Sequence, residues 1–196
     1  MDIKQHLAKY YMNWTYTNIY FFKNISVFHF NWGYATSTGR PSKKTEQIKV
    51  KIEYLKSTKV VYFRRVGIYG TENKLLMRAF KKWVKTENLF QKSTILGIAL
   101  DNPQSTPAKD CRYDVCLITD KKRFKDNVEQ RTLGGGTYAV FKVAHIEKVI
   151  IDFYMNIAQT IAKNQLNVLS KPIIERYKQN LVDKGYCEIL IPIEQK

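Results

Sequence analysis

One carboxylate near the C-terminus stands in an apolar stretch, where an acid is costly to bury. Glu188 follows Cys187 and precedes Ile189, Leu190 and Ile191. Strand alternation places Glu188 and Leu190 on one face of a strand and the other three residues on the opposite face. A buried carboxylate needs a proton or a cationic partner. Glu188 is therefore either a solvated acid paired with a lysine, or the countercharge for an organic cation in an aromatic cleft, where each ring adds about 0.5–2 kcal/mol.

Other acidic and aromatic residues could belong to such a cleft. Asp114 lies two residues from Arg112 on the same strand face, so we expect an internal ion pair. Glu175 could pair with Arg176 or Lys178 at the surface. The aromatic residues expected near a cleft, each of which could instead belong to the core, are Tyr69, Trp83, Tyr113, Tyr138 and Tyr154.

Several other chemistries lack the residues they need. The run Gly134–Gly136 precedes a strand and no Gly-Lys-Ser/Thr follows it, which favours a hinge or bulge over a phosphate loop. None of His6, His29 and His145 has a ligand partner three or four residues on, so we expect neither a metal nor another cofactor. The three cysteines form no CxxC pair, and Cys116 is expected to be a small core residue.

The elements that position these residues begin after residue 46. Before residue 47 the chain holds 11 of its 26 aromatic residues, and the charged, turn-forming stretch 36–45 is typical of a linker. We therefore divide the chain into an aromatic-rich, basic segment (1–46) and a domain (47–196).

The domain contains the same order of elements twice. Periodicity predicts strands at 48–54, 59–66, 94–100 and 111–119, with a helix over 71–85 that Thr71 caps. The strand at 140–144 and a helix from 146 to 161 repeat this order, with Val143 corresponding to Val66 (143 − 66 = 77) and Glu188 to Asp114 (188 − 114 = 74). We predict an α+β fold made of a duplicated β-α-β-β unit with pseudo-two-fold symmetry, an antiparallel sheet with helices on one face, and a cleft between the halves.

Net charge is strongly positive, because 33 Lys and Arg face 17 Asp and Glu, which gives +16. Such a surface attracts phosphate, and the clusters that could contact DNA are Lys43-Lys44, Lys81-Lys82 and 121–123. We expect these charges to be solvated instead. No apolar run reaches the roughly 18 residues of a membrane span, and the first residues lack a secretory signal, so a cytoplasmic protein with no membrane partner is expected.

Six stretches in order resemble the GyrI-like small-molecule-binding domain, a family that includes the effector-binding domains of AraC-type transcription regulators and the DNA gyrase inhibitory proteins. They are 66–70 (VGIYG), 96–103 (LGIALDNP), 111–116 (CRYDVC), 134–141 (GGGTYAVF), 171–177 (KPIIERY) and 186–193 (YCEILIPI). The resemblance implies a cleft for hydrophobic, often cationic, drug-like molecules, with Glu188 at the cleft and Glu175 and Tyr177 beside it. It also implies a role in transcription regulation or the response to xenobiotics.

Two alternatives accompany this interpretation. Some GyrI-like proteins resemble hydrolases of electrophilic cyclopropane compounds, in which Glu188 would act as general base and Tyr138 would donate a proton. Regulators of this kind place two helix-turn-helix units before the domain, whereas residues 1–46 are too few for two such units and only 30–37 resemble the end of one. We therefore expect a binding protein rather than an enzyme, and we treat contact with DNA or gyrase as an alternative.

Overall fold

The computed structural model describes residues 49–103 and 105–195, so the prediction for residues 1–46 lies outside the described residues. Within these ranges the chain forms eight strands and four α-helices, with a 3-10 turn at Ala108–Asp110. The strands are β1 (Val50–Leu55), β2 (Thr58–Val66), β3 (Thr94–Ala99), β4 (Arg112–Ile118), β5 (Glu129–Leu133), β6 (Gly136–Ala144), β7 (Ile174–Lys178) and β8 (Tyr186–Ile193). The helices are α1 (Thr71–Thr86), α2 (Glu147–Met155), α3 (Ile157–Lys163) and α4 (Gln179–Val182).

All eight strands belong to one curled antiparallel sheet with the order β1-β6-β8-β7-β3-β4-β2-β5. Its inner six strands form two copies of one arrangement. The first copy has the order β6-β8-β7 and the second, read from the other end of the sheet, has the order β2-β4-β3; the copies meet where β7 pairs with β3. In each copy a strand leads into helix and then into two further strands. The predicted α+β fold with a duplicated β-α-β-β unit is therefore confirmed.

The sequence alignment of the two halves was wrong by one residue in the first strand. In the ladders Asp114 lies opposite Arg64 and Glu188 lies opposite Lys142, so the offset between β2 and β6 is 142 − 64 = 78 rather than 77. A shift of one residue moves every side chain to the other face of a strand. Phe141 therefore corresponds to Phe63, and both aromatic rings lie on the face that the helices cover.

The sheet has two differently built faces, which we call the helix face and the opposite face. The helix face carries two apolar clusters: one lies under α1 around Phe80 and Val115, and the other lies under α2 and α3 around Phe141 and Ile189. The opposite face carries a third cluster that includes Leu96. Burial of these apolar surfaces is the main source of stability.

Three local predictions need correction. Thr71 is the first residue of α1 rather than its cap; Gly70 precedes the helix with φ 145°, a conformation that glycine adopts without steric cost. The predicted helix from 146 to 161 is two helices, because Asn156 ends α2 and its side-chain amide donates to the Asp152 carbonyl. On β1, apolar and charged residues alternate as in a strand with one buried face, yet Ile52 and Tyr54 are 53% and 63% exposed.

The described helices contain no segment with the length and apolar character that crossing a membrane requires.

Candidate functional site

A cavity of about 520 Å3 lies on the helix face, at the junction of the two halves. Helix α1 packs on β2 and β4, whereas α2 packs on β6, and this arrangement leaves a gap above the central strands β3 and β7. The side chains and backbone that line the cavity belong to Gly70, Asn73, Lys74, Met77, Arg78, Lys81, Tyr113, His145, Glu147, Ile150, Ile151, Tyr154, Glu175 and Tyr177. The predicted cleft between the halves thus has a counterpart in the structure.

Glu175 forms the acidic part of the cavity floor. Alternation along β7 sends Glu175 and Tyr177 to the helix face, while Arg176 points to the opposite face. The Tyr177 hydroxyl donates to Glu175 Oε2 at 2.7 Å, and the Tyr154 hydroxyl of α2 donates to Oε1 at 3.0 Å. Each carboxylate oxygen therefore has a phenol donor, but no ion pair among the described residues includes Glu175.

Burial raises the pKa of Glu175, and the hydrogen bonds from Tyr177 and Tyr154 offset only part of that rise. Desolvation and the neighbouring Glu175 carboxylate also raise the pKa values of Tyr113 and Tyr177 well above 10, so both phenols stay protonated. The floor can thus take up a proton or pair with a cation that a ligand brings. Perturbed acids of this kind often mark functional sites.

A glycine makes room for this floor. Gly97 on β3 lies directly across the ladder from Glu175. A Cβ atom at Gly97 would lie 2.4 Å from the Tyr113 hydroxyl and 3.3 Å from Glu175 Oε2. The missing side chain therefore lets the phenol of Tyr113 lie over β3 beside the carboxylate.

The walls of the cavity combine apolar and basic side chains. Met77, Ile150 and Ile151 provide apolar surface. Lys81 places its ammonium 5.8 Å from the centre of the Tyr177 ring, and the His145 ring centre lies 5.2 Å from the same ring.

Burial, followed by repulsion from neighbouring lysines, lowers the pKa of Lys81 and that of His145. His145 is therefore neutral near pH 7.

Near the helix N-termini, Lys74 Nζ lies 2.7 Å from Glu147 Oε1 and so links α1 to α2 beside the cavity.

Glu188 does not line this cavity. As predicted, Glu188 and Leu190 lie on one face of β8, and Cys187, Ile189 and Ile191 lie on the other. The cavity lies on the helix face, which is the side of Cys187, Ile189 and Ile191. Arg176 on the neighbouring strand donates to Glu188 Oε2 at 2.7 Å, and Lys178 Nζ lies 3.3 Å from the same oxygen. The carboxylate thus has its countercharge within the protein.

The same arginine binds a second carboxylate. Both terminal nitrogens of Arg176 donate to Glu53 on β1, at 2.8 and 3.0 Å. Because β6 and β8 lie between β1 and β7 in the sheet, this bidentate pair spans the opposite face.

Asp114 has a similar environment in the other half. Its carboxylate is fully buried and accepts hydrogen bonds from Arg64 at 2.6 Å and Arg131 at 2.8 Å. The predicted internal ion pair exists, but its predicted partner was wrong, because Arg112 pairs with Asp101 instead. Arg64 lies directly opposite Asp114 in the ladder. Opposite residues have Cβ atoms about 5 Å apart, closer than the roughly 6.6 Å between residues two apart on one strand.

The remaining predicted site residues are dispersed. Tyr138 is buried on the opposite face, and burial raises its pKa. Glu188 lies opposite Lys142 in the ladder, and Tyr138 is four residues from Lys142 on the same strand. Tyr138 and Glu188 are therefore separated by roughly 13 Å along the strand direction. Tyr69 is buried and donates to backbone carbonyls, and Trp83 packs in the cluster under α1, outside the cavity lining. Among the predicted residues, the cavity brings together Tyr113, Tyr154, Glu175 and Tyr177.

Sequence reasoning missed the wall residues of α1. Lys74, Arg78 and Lys81 line the cavity, although charged residues outside the apolar stripe of a helix are ordinarily solvated. Their spacing of four and three residues places them on one stripe of the helix, and that stripe was the available signal.

Two of the basic clusters considered as DNA contacts include a lysine that has another role within the protein. Lys81 lies in the cavity, and Lys121 is 2.6 Å from the buried carboxylate of Glu87. Cys116 is buried as expected, with its thiol pKa raised to about 12 by desolvation. Within residues 49–103 and 105–195, no three His, Cys, Asp or Glu side chains are grouped to hold a metal ion.

Comparisons with known proteins give a consistent result. Residues 48–194 match the family model of the GyrI-like small molecule binding domain. The "SPbeta prophage-derived putative transcriptional regulator YosT" of Bacillus subtilis (strain 168) is 41% identical over 149 residues, which cover 75% of this chain and 100% of YosT.

Two solved structures have a similar fold. SAV2435 bound to tetraphenylphosphonium matches with a TM-score of 0.55 at 17% identity, over 75% of this chain and 94% of SAV2435. EcmrR in a complex with DNA matches with a TM-score of 0.55 at 15% identity, over 99% of this chain and 69% of EcmrR. At these identities the likeness concerns the fold alone.

Proposed function

This chain belongs to the family of GyrI-like small-molecule-binding domains, and we propose that its ligand binds in the cavity above Glu175. The observation that carries the proposal is a carboxyl group, raised in pKa, that lies on the floor of a partly apolar cavity without a cationic partner among the described residues. A ligand cation placed there would supply the missing countercharge, and the surrounding phenol rings would add cation–π attraction. We further propose that ligand binding serves transcriptional regulation, as the name of YosT suggests.

The proposal assigns the ligand carboxylate to Glu175 rather than to Glu188. Glu188 already pairs with Arg176 and Lys178, so a ligand cation would gain little from it. The hydrolase alternative built on Glu188 and Tyr138 is not favoured, because the two residues are roughly 13 Å apart along the strand ladder and Arg176 and Lys178 already pair with the Glu188 carboxylate.

Isothermal titration with tetraphenylphosphonium, the ligand of the SAV2435 structure, tests this assignment. We expect the wild-type domain to bind it and Glu175→Gln to weaken binding about tenfold, which corresponds to about 1.4 kcal/mol. Glu188→Gln is the matched control and should bind as the wild type does. Equal binding by Glu175→Gln, or a loss confined to Glu188→Gln, would contradict the proposal.

A further inference from the structure

The cavity contains charges of both signs that form no ion pair with another described residue. Among the described residues, Glu175 on the floor and Lys81 and Arg78 on the α1 wall take part in no ion pair. Of the two basic residues, Lys81 is half-buried and Arg78 is exposed. By contrast, the side chains of Lys121 and Lys178 are 35% exposed and each lies within 3.3 Å of a carboxylate.

Lys81 is held inside the cavity rather than extended into solvent. It is half-buried, its ammonium lies over the Tyr177 ring, and burial lowers its pKa. The hydroxyl of the same tyrosine donates to Glu175. The Tyr177 phenol therefore lies between the acidic floor and the basic wall, and a ligand lying along it would contact both.

A ligand that carries only positive charge meets a conflict in this cavity. Pairing with Glu175 is favourable, but Lys81 and Arg78 repel the positive charge of the ligand. This repulsion is stronger at Lys81, where water is partly excluded, than at the exposed Arg78. An anionic group on the ligand removes the conflict, because charge-assisted hydrogen bonds to an ammonium or guanidinium are among the stronger polar contacts.

We propose that this cavity selects amphoteric ligands: an apolar or aromatic body with a cationic group for Glu175 and an anionic group for Lys81 and Arg78. Met77, Ile150 and Ile151 would contact the body of the ligand. This inference rests on the proposed function and specifies the chemical class of the ligand.

A matched pair of dyes tests the inference. Rhodamine B carries a cationic xanthene and a carboxylate, whereas its ethyl ester is a cation with the same ring system. Fluorescence polarisation at pH 7 should show that the full-length wild-type protein binds the acid about tenfold more tightly than the ester, as expected for one charge-assisted contact. Lys81→Gln should lose most of the preference for the acid without weakening the ester, because the remaining basic residue, Arg78, is exposed to water.

Two variants separate the possible outcomes. Lys82→Gln removes the same charge from an exposed neighbouring position of α1 and should keep the preference for the acid. Glu175→Gln should weaken both dyes. An ester that binds the wild type as tightly as the acid, or a Lys81→Gln variant that weakens both dyes equally, overturns the amphoteric inference.

Failure of the inference is distinguishable from failure of the proposed function. If Glu175→Gln weakens both dyes while acid and ester bind alike, the inference fails and the proposed site stands. If Glu175→Gln binds both dyes as the wild type does, the proposed site fails. A wild-type domain that binds neither dye overturns the inference, and the tetraphenylphosphonium titration then decides the proposed site. Thermal melting of each variant checks that it is folded.

Discussion

Carboxylates have different hydrogen-bond partners on the two faces of the sheet. On the opposite face, Asp114 and Glu188 each accept hydrogen bonds from arginine, and Arg176 also binds Glu53. On the helix face, Glu175 receives hydrogen bonds from two phenols and from no cation among the described side chains. Paired charges fix strands relative to one another, whereas an acid without a countercharge is available to a ligand. The position of an acid in the strand ladder, rather than its apolar neighbours in sequence, decides which role it has.

The largest expected effect tests the paired charges of the opposite face. Arg176→Met keeps an apolar stem but leaves Glu53 and Glu188 without their shared partner. We expect the free energy of unfolding to fall by about 3 kcal/mol, because breaking a buried ion pair leaves uncompensated charge. Urea denaturation followed by circular dichroism measures it.

Lys178→Met is the control for this substitution. The Lys178 side chain is 35% exposed and contacts only Glu188 among the ion pairs of the described region. Its loss should cost less than about 1 kcal/mol. Equal losses in the two variants would show that Arg176 has no special structural role.

A second prediction concerns the floor of the cavity on the helix face. In Gly97→Ala, the new methyl group would collide with the Tyr113 hydroxyl, which lies 2.4 Å from the Cβ position. Overpacking of this kind costs about 1–3 kcal/mol. Thermal or urea unfolding should show a loss in that range, and tetraphenylphosphonium binding should weaken because the floor is displaced.

Gly134→Ala provides the comparison, since no atom lies within 4 Å of its Cβ position. We expect its stability to stay within about 0.5 kcal/mol of the wild type. If both alanine variants are equally stable, then the close approach of Tyr113 to β3 does not constrain the floor.

The smallest effect is a difference in pH dependence between the faces. Since burial raises the pKa of Glu175, the folded state binds its proton more tightly than the unfolded state does. The contribution of Glu175 to stability is therefore greatest below the unfolded pKa of about 4.3 and decreases as pH rises through the folded pKa. Glu175→Gln should remove this decrease.

Glu53 should behave in the opposite way. The hydrogen bonds from Arg176 lower the pKa of Glu53, so its contribution is present above the unfolded pKa and is lost as pH falls through the lower folded value. Urea titrations from pH 3 to pH 8 on the wild type, Glu175→Gln and Glu53→Gln measure both trends. Slopes of the same sign would contradict the distinction between the faces.

Much of the fold was predictable, because it depends on local patterns. The apolar spacing of α1 and the β-branched run of β2 each specify one element, and the repetition of this order in the second half predicted the duplicated unit. The one-residue error between β2 and β6 arose because Arg64-Arg65 and Lys142 can be aligned in two ways. Only the ladder pairs, Arg64 with Asp114 and Lys142 with Glu188, distinguish them.

The candidate site was predictable only in part. Tyr113, Tyr154, Glu175 and Tyr177 were named from sequence and meet in one cavity. Glu188, the leading candidate in the sequence, and Tyr138 lie elsewhere, since period-two alternation shows which residues share a face and not which face a helix covers. The basic wall of the cavity was missed because a lysine in a cavity and a lysine in solvent look the same in sequence.

The sequence by itself determined the α+β fold, the internal repeat and the family, because periodicity and the order of motifs are properties of a single chain. The tertiary structure alone decided which carboxylate forms no ion pair with another described residue. Arg176 and Glu53 are 123 residues apart in the chain and yet form hydrogen bonds across the sheet, while Arg176 also neutralises Glu188. Glu175, one residue away from this arginine, faces the cavity and has no such partner among residues 49–103 and 105–195, because successive residues of a strand point to opposite faces.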